Sequence, residues 1–548
     1  MPQESGGVTT RGVVWRAVGA LLGLVLLNQS LTFYNIWPTP KIRWQGHLSV
    51  ELAVAVALLA LVAWRRGRVS ARWLRLSAVA WVLLVAGRYL DVVAPALYGR
   101  PVNLYWDARH LSAVAAMMTD AVAAPVLAAG VLGVGVLVAA VYAGARIALG
   151  GVGAALGVPR LRGALGVLAV ATIGAYALSE ASGRASVPVP AFAPPVSATY
   201  WHQARLLGAQ LTMRQAAVDT SRRFADSDLS RVRGSDVFLT FIESYGAVTY
   251  DRDEVAGPLA TARNRLLADI HASGREVISA FVESPTFGGS SWLAHVSLIT
   301  GVETRDERDN ATLMAQERET LVTAFARRGY RTVALMPGLR QAWPEGAFYG
   351  FDRIYSMGDF AYRGPRFGWW TVPDQFALAR LDVLEPGHAP DRPRFVFFPT
   401  TSTHAPFGPT APYQPDWTRL LTAEPYEEPA LSEALARVPD YLNMTPSYVN
   451  AVDYAYASVG GYLRTRRDRD LVMVMLGDHQ PAAAVAGEGA SWDVPVHVIA
   501  RPGPVLDRMK AHGFVEGLSP PRPAIARMHA LLPALLEAFG DPVRSAAR

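Results

Sequence analysis

The stretch that decides the fold is residues 471–480, LVMVMLGDHQ, in which six apolar residues lead into a glycine, an aspartate and a histidine. A continuous apolar run of this length predicts a strand that is buried on both faces of a sheet. The same pattern occurs at residues 237–243, VFLTFIE, which end in the carboxylate of Glu243. Strands of this kind are typical of α/β proteins, in which helices cover both sides of a mostly parallel sheet.

Further strand and helix patterns alternate around these two runs, throughout residues 233–548. We predict six strands, at Asp236–Ile242, Glu276–Val282, Arg331–Leu335, Arg394–Phe398, Leu471–Leu476 and Val494–Ile499. Helical apolar spacing predicts helices between them, which include Leu259–Ala272, Glu317–Arg328 and Ser447–Arg464. This alternation predicts a mostly parallel central sheet covered by helices.

The first third of the chain is dominated by long apolar stretches. Five of them are long enough to be read as membrane-spanning helices of ~20 residues, at about Gly12–Trp37, Leu48–Trp64, Trp73–Tyr98, Ala121–Ala148 and Ala164–Leu178. Arginines cluster before the first stretch, between the second and third, and between the fourth and fifth. The positive-inside rule therefore predicts a cytoplasmic N-terminus in a bacterial inner membrane. Five spans would place the following residues in the periplasm or outside the cell.

The composition divides the chain into three predicted parts. These are a transmembrane domain of five helices at 1–179, a Pro-rich linker with an interfacial helix at 180–232, and an extracytoplasmic catalytic domain at 233–548. The formal net charge is +6, and the arginines cluster beside apolar stretches, where a lipid bilayer explains them better than a nucleic acid does. We therefore expect no nucleic-acid partner. The absence of cysteine excludes disulfides, thiolate metal sites and cysteine nucleophiles.

Polar side chains recur where the predicted strands end. In α/β sheets, ligands bind beyond the carboxyl ends of the strands. There the sequence has Glu243, the segments SPTFGGSSW (284–292) and STHAPF (402–407), and Asp478 with His479. Carboxylates and an imidazole held together are suitable ligands for a divalent cation. A salt-bridged rim carboxylate for Glu243, and a polar strand cap for Asp478 and His479, are the structural alternatives.

These segments also carry a family resemblance. In the order FIESYG (241–246), SPTFGGSSWLAHVSLITG (284–301), TSTHAPF (401–407) and LGDHQP (476–481), the chain resembles the sulfatase-like branch of the alkaline phosphatase superfamily. Within that branch it is most similar to membrane-anchored lipoteichoic acid synthases and related phosphoglycerol or phosphoethanolamine transferases. Those proteins also have about five spans before an exported catalytic domain. The resemblance implies that Glu243, Asp478 and His479 bind a metal.

The resemblance further implies a hydroxyl nucleophile at the start of a helix, where relatives have a threonine. Counted from Pro285 and from Thr300, that position is Ser291, which would also contact the metal. Ser290 is a close rival and Thr286 a weaker one. The exposed N–H groups at a helix N-terminus favour an alkoxide and a phosphorylated intermediate, and a simple helix N-cap is compatible with this role.

The resemblance also implies that four further residues contact the substrate. His404 stands where relatives have a histidine that contacts the transferred phosphate or assists the leaving group, although a lone histidine is often only a satisfied polar residue. Arg340, Trp343 and Asp374 fall in regions that line the headgroup pocket of relatives, where an arginine could bind a phosphate with both of its terminal nitrogens. His295, inside the helix that follows Ser291, is expected to be structural.

The motifs that the sequence lacks narrow the expected chemistry. No Asp-x-x-x-His set occurs between Ser291 and Asp478, so we expect one divalent metal ion, which is manganese, magnesium or zinc. No Cys/Ser-x-Pro-x-Arg motif occurs near the nucleophile segment, which disfavours a formylglycine sulfatase.

Together, the residues and the resemblance predict a metal-dependent, membrane-bound transferase. It would move a phosphoglycerol or phosphoethanolamine type of group from a membrane lipid donor to an envelope glycan or lipid acceptor, through a covalent serine intermediate. One alternative is a phosphodiesterase, phosphatase or sulfatase-type hydrolase of the same fold. The other is a catalytically silent scaffold that binds envelope components.

Overall fold

The computed structural model describes residues 10–36, 39–99, 101–108, 111–181, 191–211, 226–340, 343, 345–368, 371–386 and 392–543. They divide into two compact units. We call them the helical unit, within residues 10–96 and 101–211, and the sheet unit, within residues 226–543. The domain boundaries predicted after residues 179 and 232 stay predictions.

The helical unit consists of apolar helices and one short hairpin. The hairpin pairs β1 (Phe33–Asn35) with β2 (Ile42–Trp44) in antiparallel fashion. The helices are α1 (Thr10–Gln29), α2 (Val50–Arg66), α3 (Ala71–Tyr98), α4 (Leu104–Asp107), α5 (Leu111–Ala121), α6 (Ala124–Leu156), α7 (Pro159–Ala181) and α8 (Val196–Leu211). The predicted interfacial helix begins in α8, and residues 182–190 and 212–225 of the predicted linker lie outside the described residues.

Four of the described helices are long and apolar enough to cross a membrane, at Thr10–Gln29, Ala71–Leu97, Ala124–Leu156 and Pro159–Ala181. They correspond to the first, third, fourth and fifth predicted spans. The second predicted span is α2, which has only 17 residues. At 1.5 Å per residue it is about 26 Å long, slightly less than a hydrocarbon core of about 30 Å. The Ser49 side chain caps its first turn, and Gly67 ends it in the left-handed conformation.

Small residues allow the closest packing in the helical unit, between α1 and α6. A Cβ placed at Gly23 would lie 2.5 Å from the carbonyl oxygen of Ala148, and one at Gly151 would lie 2.6 Å from that of Gly19. Close backbone approach at glycine is the usual packing mode of helices in membranes, where lipid removes the hydrophobic drive between them. Around this contact, apolar side chains from five of the helices form one core.

The sheet unit has nine strands and twelve helices among its described residues. The strands are β3 (Asp236–Ile242), β4 (Glu276–Glu283), β5 (Arg331–Leu335), β6 (Arg353–Tyr355), β7 (Arg394–Pro399), β8 (Leu471–Gly477), β9 (Asp493–Ala500), β10 (Val515–Glu516) and β11 (Ala526–Arg527). The helices are α9 (Val248–Asp251), α10 (Asp253–Ala272), α11 (Ser291–Thr300), α12 (Glu307–Met314), α13 (Leu321–Arg327), α14 (Gly346–Tyr349), α15 (Asp374–Leu384), α16 (Glu428–Ala436), α17 (Thr445–Thr465), α18 (Ala483–Ala486), α19 (Pro504–Ala511) and α20 (Leu531–Phe539).

The nine strands form one mixed, mostly parallel sheet in the order β10-β4-β9-β8-β3-β7-β5-β6, with β11 beside β4. The central run from β8 to β6 is parallel, whereas β9 is antiparallel to both of its neighbours and β10 is antiparallel to β4. All six predicted strands are present. The predicted fold class, a set of spanning helices followed by a helix-covered α/β domain, is confirmed.

Both faces of the central strands are buried, which explains their unbroken apolar sequence. All seven residues of β3 and all seven of β8 are buried. Phe238 and Ile242 pack into a core with α10, α15 and α17, whereas Val237 and Phe241 pack into a second core on the opposite face, with α11, α13 and α20. Apolar residues are therefore needed at consecutive positions rather than at alternate ones.

The register of the two central strands sets the position of the functional residues. β3 and β8 pair from Asp236 opposite Leu471 to Ile242 opposite Gly477. Glu243 and Asp478 are the next residues of these strands, so the parallel pairing brings them to the same level at the carboxyl edge of the sheet.

We expect a side chain at Gly477 to destabilise the sheet unit. A Cβ there would overlap the backbone carbonyl oxygen of Tyr245, which cannot move aside as a side chain would. Overpacking of this kind costs about 1–3 kcal/mol of unfolding free energy. Thermal unfolding of the detergent-solubilised full chain should therefore show a lower melting temperature for Gly477→Ala.

Gly257→Ala is the matched control, because a Cβ at this position of α10 meets no atom within 4 Å. Replacing a helical glycine by alanine should stabilise the fold by about 0.5–1 kcal/mol. Equal melting temperatures for the two variants would contradict the expected clash.

Candidate active site

Three side chains of the metal-ligand type converge beyond the ends of β3 and β8. A carboxylate oxygen of Glu243, one of Asp478 and a ring nitrogen of His479 all lie within 4.8 Å of one another. Glu243 is 9% exposed, and Asp478 and His479 are each 1% exposed. The structure therefore brings together three of the four predicted metal ligands, and their side chains are almost fully buried.

The Asp478 carboxylate is only half satisfied by the protein. Its Oδ1 accepts the backbone N–H groups of Ser244, at 2.8 Å, and of His479, at 2.7 Å. Its Oδ2 is buried and has no hydrogen-bond partner within the part of the chain that the structure describes. A buried carboxylate oxygen without a partner costs at least about 1–3 kcal/mol. A cation between the three side chains would remove that cost, so this donor set fits a divalent metal.

The imidazole of His479 is oriented for metal binding. Its Nδ1 lies 2.7 Å from the carbonyl oxygen of Gln480, which can only accept, so Nδ1 carries the proton of the neutral ring. Nε2 then points its lone pair towards the cluster, 3.3 Å from Glu243 Oε1. Metal-binding histidines are typically held by such a bond from the other ring nitrogen to a carbonyl.

The three candidate hydroxyls differ in their contacts with the cluster. Ser291, the first residue of α11, donates from Oγ to Glu243 Oε2 at 2.8 Å and lies 3.1 Å from His479 Nε2. Ser290 has a left-handed φ of 61° and makes no side-chain capping bond to the helix. Thr286 donates its hydroxyl to the Gly289 carbonyl within the loop, at 2.6 Å. Ser291 is thus the one of the three with a hydrogen bond to the cluster among the described residues.

The charges of the cluster shift one another's pKa values. Burial raises the pKa of the Glu243 carboxyl, but the imidazole of His479, with a further contribution from His404, brings it to well below its usual range. Burial and the Glu243 charge raise the pKa of Asp478 to about 8. Burial lowers the pKa of His479, but Asp478 and Glu243 together raise it to about 9. A bound cation would oppose the upward shift in the pKa of Asp478, because it favours the deprotonated form of its ligands.

Ser244 joins the two carboxylates and was not predicted from the sequence. Its N–H binds Asp478, its Oγ donates to Glu243 Oε1 at 3.0 Å, and its carbonyl accepts the Tyr448 hydroxyl at 2.7 Å. Ser244 makes these three bonds from a left-handed backbone conformation, with φ 57°. The adjacency of Ser244 to Glu243 was the only available signal, because nothing in the sequence indicates the contact with Tyr448 on α17.

His404 lies in the loop that follows β7, and Asp374 holds that loop in place. At the start of the loop, Thr400 Oγ1 accepts the N–H of Glu243 at 3.0 Å, and the Nδ1 of His404 lies 2.7 Å from the Ala405 carbonyl. The Asp374 carboxylate accepts the N–H groups of Thr401, at 2.8 Å, and Ser402, at 3.0 Å. Burial raises the pKa of Asp374 to about 6. These contacts support a positioning role for Asp374, and its predicted contact with substrate stays a prediction.

The remaining predicted residues lie in other surroundings. Trp343 packs its ring against Tyr349, with centroids 5.3 Å apart, and Arg340 lies half-buried beyond β5. Their substrate roles stay predictions. His295 has its ring centroid 4.5 Å from that of Phe241, and burial lowers its pKa to about 3. A neutral, ring-packed histidine is consistent with the expected structural role.

Comparison with known families matches residues 294–497 to the sulfatase family. The match covers less than half of the chain, lies within the sheet unit and includes Asp478 and His479. Comparison with curated proteins gives no match.

Among the solved structures that the chain resembles are one synthase and two transferases, each at 13–15% identity. The lipooligosaccharide phosphoethanolamine transferase EptA from Neisseria meningitidis is 13% identical, with a TM-score of 0.39, over 97% of this chain and 86% of that protein. The lipoteichoic acid synthase LtaP from Listeria monocytogenes is 15% identical, with a TM-score of 0.37, over 52% and 69%. The Streptococcus pyogenes phosphoglycerol transferase GacH is 13% identical, with a TM-score of 0.36, over 57% and 77%. Likeness at this level leaves the reaction and substrate open.

Residues 294–497 therefore match the sulfatase family, and the sheet unit has a candidate metal centre at the carboxyl edge of its sheet. The predicted resemblance to sulfatase-like proteins is confirmed by this match. The prediction that the chain is a sulfatase-like enzyme agrees with this match.

We expect Tyr448→Phe to weaken metal binding without touching a ligand. The substitution removes the hydroxyl that holds the Ser244 carbonyl, and with it the support for both carboxylates. Loss of an outer partner of metal ligands typically lowers affinity by about 10- to 100-fold. Calorimetric titration of the metal-free full chain with Mn²⁺ should show at least a tenfold weaker affinity.

Tyr462→Phe is the matched control on the same helix. The Tyr462 hydroxyl is buried and has no partner among the residues that the structure describes, so its loss should leave Mn²⁺ affinity unchanged. The same loss of affinity in both variants would rule out a specific role for Tyr448.

Proposed function

We propose that the chain is a metal-dependent, membrane-bound transferase that moves a phospho-alcohol group from a lipid donor to an envelope glycan or lipid acceptor. The group would be of the phosphoglycerol or phosphoethanolamine type. The observation that carries the proposal is the convergence of the Ser291 hydroxyl with two carboxylates and an imidazole, around the unpartnered Oδ2 of Asp478.

Glu243, Asp478, His479 and Ser291 would hold one divalent cation. When bound, it would supply positive charge that lowers the pKa of an adjacent hydroxyl and polarises a phosphoryl oxygen. Two carboxylates, one imidazole and one hydroxyl are compatible with manganese, magnesium or zinc.

The side chains of this site can carry a two-step transfer. In the first step Ser291 Oγ, which donates its proton towards Glu243, attacks the phosphorus of the lipid phosphodiester. An Oγ–P bond forms, the P–O bond to the lipid alcohol breaks, and the alcohol leaves with a proton supplied from His404. In the second step an acceptor hydroxyl or amine attacks the phosphorus, and His404 takes its proton. The Oγ–P bond then breaks and Ser291 regains its proton.

The helical unit would confine the enzyme to the surface that holds its lipid donor, which raises the effective concentration of the donor at the site. We propose that α2 also crosses the bilayer, since about 17 residues is the lower limit for a span. Five crossings from a cytoplasmic N-terminus would place the sheet unit outside the inner membrane of a bacterium.

We expect Ser291→Ala to abolish turnover of a fluorescent glycerophospholipid donor. Loss of a covalent nucleophile lowers the rate by many orders of magnitude, so a decrease of at least about a thousandfold is expected. A phosphorylated protein should accumulate when wild type is quenched during turnover, and should be absent from Ser291→Ala.

Ser290→Ala is the matched control, one residue away and without a bond to the cluster. It should keep both turnover and the phosphorylated intermediate, and the opposite result would move the nucleophile to Ser290. Release of the free phospho-alcohol at an undiminished rate with acceptor present would indicate a hydrolase.

Metal dependence can be tested at Glu243. Glu243→Gln removes one of the two ligand charges, so we expect the purified protein to retain less metal and to bind Mn²⁺ at least tenfold more weakly. Glu488→Gln, at an exposed position beyond α18, should behave like wild type. A wild-type protein that binds no Mn²⁺, Mg²⁺ or Zn²⁺ would support a silent scaffold instead.

A further inference from the structure

The sheet unit also contains a cavity that is separate from the candidate metal centre, because none of Glu243, Ser291, Asp478 and His479 lines it. We call it the second cavity. It has a volume of about 430 Å³ and lies between α10, α16, α17 and residues 410–413. Sites for small ligands typically measure about 300–1,000 Å³, so the cavity is large enough for one.

Two consecutive glycines within α17 make room for side chains that line this cavity. A Cβ at Gly460 would lie 2.5 Å from Asp269 Oδ2, and a Cβ at Gly461 would overlap the Tyr413 hydroxyl. A glycine within a helix costs about 1 kcal/mol relative to alanine. The glycine pair therefore allows Asp269 and Tyr413 to lie directly against the helix, where both line the cavity.

The charges in the cavity wall are balanced in pairs. Arg464 lies 3.3 Å from Asp269, Arg265 pairs with Asp453, and Arg437 pairs with Glu433. Because each arginine has its own carboxylate, the wall offers no excess positive charge for a phosphate. It does present both hydrogen-bond donors and acceptors, which is what a hydroxyl-rich, uncharged ligand requires.

One polar atom in the wall is unsatisfied. The Tyr413 hydroxyl is buried and has no hydrogen-bond partner in the described part of the chain. That hydroxyl packs against Gly461, whereas the tyrosine ring lines the cavity and provides an apolar surface beside the paired charges.

The loop that carries His404 also reaches this cavity. Thr410 and Ala411 line it together with Tyr413, and the same two residues line a small cleft with Ser402 and His404. Residues 402–413 thus connect the candidate active site with the second cavity.

We propose that the second cavity binds an uncharged sugar or polyol unit of the acceptor. The proposal rests on the transferase function proposed above. An acceptor held there would be presented along residues 402–413 towards His404 and Ser291.

Binding can be measured without any turnover. Fluorescence anisotropy of labelled neutral hexasaccharides of glucose, galactose and mannose is recorded with the full chain in detergent, without donor. Ala430 lines the cavity from the exposed side of α16, so Ala430→Trp should fill it and weaken binding at least tenfold. Ala436→Trp, at an exposed position of the same helix outside the cavity, should bind as wild type does.

The proposal would be overturned if none of the three hexasaccharides bound the wild-type protein. It would also be overturned if the wild type and Ala430→Trp bound them equally well. Competition by inorganic phosphate that Ala430→Trp abolishes would also overturn it, because it would identify an anion site. Ser291→Ala should bind the sugar normally while it turns over no donor. If the wild-type protein turns over the donor but binds no sugar, only the proposed sugar binding is refuted. If it binds sugar but does not turn over the donor, only the proposed transferase function is refuted.

Discussion

Two buried carboxylates, Glu243 and Asp478, lie beside each other because β3 and β8 are parallel and in register. Each charge taken out of water costs several kcal/mol unless it is paired, and two like charges at this distance add their mutual repulsion. The protein offsets part of this cost with the His479 imidazole and with backbone N–H donors to Asp478 Oδ1. Asp478 Oδ2 lies 3.7 Å from His479 Nε2 and makes no hydrogen bond among the described residues, so a cation at this point would stabilise the cluster.

The same constraint explains unusual features of the surrounding backbone. Ser244 has a left-handed backbone while its three polar groups bond to Asp478, Glu243 and Tyr448. Gly477 lacks a side chain because the carbonyl of Tyr245 occupies that space. Local strain of this kind persists only where the surroundings enforce it. Here the surroundings are β3 and β8, and all seven residues of each strand are buried between the two cores.

Six strands could be predicted because their apolar runs are long, whereas β6, β10 and β11, with two or three residues each, are too short to show a period. The antiparallel direction of β9 was also hidden, since a strand buried on both faces has the same sequence pattern in either direction. The convergence of Glu243, Ser291 and Asp478 could be expected from their place after strands and at a helix start. The bond from Tyr448 to Ser244 could not, because it joins residues 204 apart in sequence through tertiary packing.

The first turn of α15 gives the active-site loop a fixed shape through two consecutive buried residues. Asp374 binds the N–H groups of Thr401 and Ser402 at one end, and the Gln375 amide binds both the N–H and the carbonyl of Gln414 at the other. His404 and Tyr413 lie between these anchors, so their separation is set by the scaffold and not by the loop itself. A ligand long enough to reach both would be oriented without having to order the loop, which is the entropic advantage of a preorganised site.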